Sequence, residues 1–118
     1  MLAIDTNLIV RFLTADHREQ SRKAKALIDR QDVFVCTTVL LETEWVLRSA
    51  YRFTSGEVAK ALGAFAGLPN LTLEDAALIA TALDWTTRGM DFADALHWQK
   101  RRAAFVSSIG GLRERPSS

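Results

Sequence analysis

Short apolar runs of strand character, each followed by a longer stretch of helix-forming residues, constrain this chain more than any other feature. Leu2-Ala3-Ile4 is the first run, Val33-Phe34-Val35-Cys36 the second, Leu71-Thr72-Leu73 the third and Ala104-Phe105-Val106 the last. Between them the spacing predicts helices over Leu8–Leu13, over Asp16–Gln31, from a Thr38 cap to about Tyr51, and over Ala76–Thr87 ahead of Arg88-Gly89. Another helix is predicted after Thr54-Ser55-Gly56-Glu57, whose spacing is that of a capping box, and one more over Asp91–Arg102. Strands alternating with helices argue for an α/β domain with a mainly parallel sheet. Such sheets bind ligands at the carboxyl ends of their strands, and Asp5 stands at the end of the first.

Residues 1–106 read as one domain, and 107–118, with Gly, Arg, Pro and Ser, as an atypical, flexible tail. One cysteine, Cys36, excludes a disulfide scaffold. No apolar run reaches the ~20 residues needed to cross a bilayer. The start Met1-Leu2-Ala3-Ile4-Asp5 lacks the basic region of a secretory signal, so a cytoplasmic protein without membrane contact is expected. A net charge of +1 excludes a uniformly basic nucleic-acid binder but leaves room for a local basic patch.

The acids that draw attention are Asp5, Glu42, Glu44, Asp91 and Asp94. Asp5 either caps the helix that follows it or offers a ligand oxygen. Glu44 precedes Arg48 by four residues, the favourable order for a helical ion pair, and reads as structural. Glu42 shares its stripe with Val39, Trp45 and Val46, so a buried carboxylate in need of a partner or a metal is expected there. Asp91 and Asp94 suit the N-cap and N3 positions of a helix, and equally present two carboxylates from one helix end. Oxygen-only donors favour a hard cation such as Mg²⁺ or Mn²⁺, whereas His17, Cys36 and His97 lack zinc-ligand spacing. The chemistry that fits is metal-assisted hydrolysis of a phosphodiester.

Three segments carry a family resemblance. Ile4-Asp5-Thr6-Asn7 resembles the opening of PIN-domain nucleases. Val39-Leu40-Leu41-Glu42-Thr43-Glu44-Trp45-Val46-Leu47 resembles the second motif of the VapC-type toxins in that family, and Met90-Asp91-Phe92-Ala93-Asp94-Ala95-Leu96-His97 the third. Jointly, in this order, they are specific. The resemblance implies a three-layer α/β/α sandwich and a metal-dependent endoribonuclease. It also implies the toxin half of a type II toxin–antitoxin pair, with an RNA substrate, a VapB-like antitoxin and a homodimer. Asp5, Glu42 and Asp94 match the catalytic acids; Asp5, Asp94 and the accessory Asp91 match the metal side. Thr6 and Asn7 match the positions that orient Asp5.

The C-terminal end departs from the family pattern, as if truncated or altered. A fourth acid is expected near Ile109, where this chain has Ser107-Ser108-Ile109-Gly110-Gly111. An alternative therefore stands beside the nuclease: a catalytically impaired PIN-like domain that binds antitoxin or RNA without turnover. Arg11, Lys100 and Arg101 are candidate RNA contacts, although cations such as Lys100-Arg101-Arg102 also suit a helix C-terminus. Trp45, Trp85 and Trp98 read as core or interface residues, and His97, one turn from Asp94, as a surface or interface histidine or a partner for that acid. A phospho-acceptor receiver needs two acids after the first strand and a Lys after the last; a haloacid-dehalogenase-like phosphatase needs Asp-x-Asp. Asp5-Thr6-Asn7 satisfies neither.

Overall fold

The computed structural model describes residues 1–14 and 18–101. The expected last strand Ala104–Val106, Arg102, the segment from Ser107 onward, and Asp16 and His17 lie outside the described residues.

Three short parallel strands, β1 (Leu2–Ala3), β2 (Val33–Val35) and β3 (Leu71–Leu73), form a sheet in the order β1-β2-β3. Leu2 faces Val33, and Val33 faces Leu71. Pairing continues one residue past β1, because the Ile4 amide donates to the Phe34 carbonyl at 3.1 Å. Val33 and Val35 are fully buried and Phe34 half-buried, the pattern of a central strand covered on both faces.

The helices are α1 (Thr6–Thr14), α2 (Arg18–Arg30), α3 (Thr37–Ser49), α4 (Ser55–Ala66), α5 (Ala76–Thr87) and α6, described over 92–101. With the sheet they make the three-layer α/β/α arrangement. α1 packs on α2, α4 on α5, and α3 touches both α1 and α4. Each helix contributes a narrow buried stripe: Ile9 and Val10 from α1, Ala24 and Ile28 from α2, Leu40 and Leu47 from α3, Leu62 and Phe65 from α4. Phe12 meets Phe65 edge-on at 5.7 Å.

Local chemistry fixes the helix ends. Thr54 and Glu57 form the expected capping box at α4. Asp75 caps α5, and Gly89, at φ 105°, takes the left-handed position just beyond its C-terminus. α3 departs from expectation. Its N-cap is Cys36, not Thr38, and no Cys36 side-chain bond serves it. Instead Glu74, just after β3, reaches across and accepts from the Thr37 amide at 2.9 Å. Asn70 does similar work at the other end of the sheet, donating its amide to the Ile28 and Gln31 carbonyls at the end of α2. Those carbonyls are among the ones a helix terminus leaves without partners.

Candidate active site

The first site residue is also a helix cap. Asp5 Oδ1 accepts from the Leu8 amide at 3.0 Å, holding the exposed carboxylate at the carboxyl end of β1. Thr6, next in the chain, donates its hydroxyl to Glu42 Oε1 at 3.0 Å. That bond joins the first and second motifs across 36 residues and sets Glu42 of α3 beside the Asp5 turn.

The rotation of α3 corrects one expectation. Its buried residues are Leu40, Thr43, Glu44 and Leu47, a core stripe at i, i+3, i+4 and i+7. Glu42 falls on the open face and is exposed, as is Trp45. The carboxylate that is buried is Glu44, only 1 % exposed. The Glu44–Arg48 pair read from the sequence does form, but from inside the core. Arg48 Nε donates to Glu44 Oε2, and Nη2 to Oε1 at 3.3 Å. The same Nη2 lies 3.5 Å from Asp91 Oδ1. The hydrogen bond to Glu44, chiefly, and the charges of Glu44 and Asp91 raise the Arg48 pKa, against a desolvation that lowers it.

Asp91 then caps α6: its Oδ2 accepts from the Asp94 amide at 3.3 Å. Both Asp91 oxygens are thus engaged, one by Arg48 and one by Asp94. Asp94 itself is exposed on the first turn of α6. A cleft of about 340 Å³ between α3 and α6 is lined by Glu42, Glu44, Trp45 and Arg48 on one side and Ala93 on the other. The third motif therefore faces the second across this cleft. Among the described residues, no hydrogen bond links Asp94 to Asp5, Glu42 or His97.

The donor set consists of carboxylates, which suits a hard divalent cation. Among the described residues no three His, Cys, Asp or Glu side chains converge as a closed metal cage. Mg²⁺ does not demand one, since it commonly takes one or two carboxylates together with water and substrate phosphate. Thr6, bonded to Glu42 and next in the chain to Asp5, brings these two carboxylates to one end of the sheet.

Of the candidate RNA contacts, Arg11 is exposed on α1, one turn beyond Asn7, and shares a groove with Asp5 and Asn7. Lys100 and Arg101 are exposed on α6, about two turns from Asp94. Of the three tryptophans read as core or interface residues, Trp85 packs against the core, and Trp45 and Trp98 are 61 % and 49 % exposed. Two groups escaped the sequence reading. Glu74 gave no local signal, because its partner lies 37 residues away. Lys23 gave none because only the packing of α2 on α1 brings it to the Asp5 groove.

A short parallel sheet between helical layers, with Asp5 at the carboxyl end of its first strand, is an α/β/α sandwich. The PIN-domain family model matches residues 2–99, and the chain belongs to that family. PIN domains are generally metal-dependent nucleases. No individual curated protein and no solved structure gives a significant match to the chain. No described helix is long and apolar enough to cross a membrane.

Proposed function

We propose that the chain is a metal-dependent endoribonuclease, the toxin component of a VapBC-type toxin–antitoxin system acting in the cytoplasm. Its partners on this reading are RNA, a VapB-like antitoxin and a second copy of the chain. The observation that supports it best is the Thr6–Glu42 hydrogen bond, which ties two of the three acidic motifs together beside Asp5. Asp5, Glu42 and Asp94 act as the catalytic acids, with Asp5, Asp94 and Asp91 on the metal side. Asp91 would join them through a lone pair left beside its contacts with Arg48 and the Asp94 amide. Mg²⁺ or Mn²⁺, when bound, supplies a water nucleophile of lowered pKa and stabilises charge on a phosphoryl oxygen. Asp5 is held for this by its own cap and presents Oδ2; Glu42, with Oε1 fixed by Thr6, keeps Oε2 for a water proton.

The second reading, binding without turnover, is favoured by one sequence observation, the missing acid near Ile109. Cleavage of a mixed RNA pool with Mg²⁺ or Mn²⁺, against EDTA and against Asp5→Asn, separates the two. Asn caps a helix as well as Asp does, so this variant keeps its stability within about 0.5 kcal/mol. Metal-dependent cutting that disappears in Asp5→Asn supports the nuclease. No cutting by the native chain, restored by Ile109→Asp, supports the impaired domain. Cutting that survives Asp5→Asn or EDTA refutes the assignment of the site.

A further inference from the structure

A groove of about 350 Å³ runs between α1 and α2 and opens at one end on Asp5. Its volume lies within the range of small-ligand sites, about 300–1,000 Å³. Asn7 and Arg11 stand on one wall and Gln20 and Lys23 on the other, over an apolar floor of Leu8, Ala24 and Leu27. The two helices are tied by Ser21, whose hydroxyl donates to the Arg11 carbonyl at 2.7 Å. Arg11 and Lys23 are exposed, and neither forms an ion pair among the described residues. They belong to different helices, yet they line one groove.

The charge around the groove is local. Its lining holds two cations, Arg11 and Lys23, against one carboxylate, Asp5, and the rest of α2 adds four bases against two acids, in a chain whose net charge is only +1. This is the sort of patch that attracts a polyanion without making the whole protein basic. The amides of Asn7 and Gln20 both donate and accept, as needed for ribose 2′-hydroxyls and base edges. Helix rise places Arg11 about 9 Å along the axis from Asp5. A strand with one phosphate at Asp5 therefore meets the cations within a short extended step.

We propose that this groove carries the RNA strand away from Asp5, with Arg11 and Lys23 clamping one backbone region and Gln20 contacting the sugar or base. The inference rests on the nuclease reading for the identity of the strand, but its test does not require cleavage. The probe is a 2′-O-methyl RNA 12-mer, which resists hydrolysis, titrated with the full chain in EDTA at several salt concentrations. For single strands each phosphate contact contributes about 0.7 to the slope of log K against log salt. Loss of two contacts lowers the slope by about 1.4. Across a fourfold rise in salt, the native chain should then lose about sevenfold more affinity than Arg11→Ala/Lys23→Ala. Lys60→Ala, on exposed α4 and outside the groove, is the control and should leave the slope unchanged.

A native slope retained by the double variant, folded by circular dichroism, overturns the proposal. So does a slope that falls as far in Lys60→Ala. Binding of a poly-glutamate peptide that depends on Arg11 and Lys23, with no such dependence for RNA, overturns it in favour of an acidic protein segment. Metal-dependent RNA cleavage by the native chain is scored separately. Cleavage with an unchanged slope sinks the groove and spares the nuclease; a changed slope without cleavage does the reverse.

Discussion

Removing Arg48 tests the least ordinary contact in the fold. Glu44 is 1 % exposed and spends both carboxylate oxygens on one guanidinium. Arg48→Ala leaves that carboxylate in the core with no counter-charge. Breaking a buried pair from one side costs about 3–5 kcal/mol. The Arg48 side chain is 34 % exposed, so its removal also opens a path for water. The expected loss is therefore somewhat smaller, about 2–4 kcal/mol. For a domain of this length that lowers Tm by roughly 8–15 °C. Thermal and urea unfolding followed by circular dichroism measure it. Glu44→Gln in the same background removes the stranded charge and should recover at least half of the loss, a coupling characteristic of groups in direct contact. Two results would refute the reasoning: an Arg48→Ala midpoint within 2 °C of native, roughly 0.5 kcal/mol, or strictly additive effects in the double variant. Because Glu44 raises the Arg48 pKa, the pair keeps its cation as pH rises. On the alkaline side its contribution is full below the unfolded arginine value and is lost only above it, so alkaline titration to pH ~10 should not release it.

Thr54→Ala removes one half of the capping box and should cost about 1 kcal/mol in urea unfolding, with the cleavage pattern unchanged. Asn70→Ala strands the Ile28 and Gln31 carbonyls and should cost about 1–3 kcal/mol; amide exchange should quicken at the end of α2 before it does in α4. A uniform change in exchange would argue against the local role of Asn70.

Much of the architecture was legible because it rests on local rules. Val33-Phe34-Val35 is β-branched and aromatic, the Ala-, Lys- and Arg-rich α2 is a strong helix former, and Thr54 with Glu57 announces a helix start. Asp5 was legible too, and it fills the capping position read for it while standing in the first motif. The phase of α3 was not. Val39, Trp45 and Val46 suggested a buried face around Glu42, yet the helix turns Leu40, Thr43, Glu44 and Leu47 inward. The spacing of Leu40 and Leu47 carried that signal, but a charged residue between them obscured it. The Glu74 cap and the Lys23 wall depend on neighbours that only the folded chain supplies.

The Glu74 cap also bears on the order in which the molecule assembles. Helix α3 carries Glu42, but its first amide is completed by a residue 37 positions later, beyond all of α4. Until β3 docks beside β2, that helix start has no partner except water. Closing so large a loop costs entropy that a local cap would not, and contacts of this separation form slowly. The segment that presents Glu42 to the Asp5 turn is therefore tied to the last described strand. A nascent chain that has not yet reached Glu74 would hold α3 with a frayed beginning, about a turn and a half before Glu42.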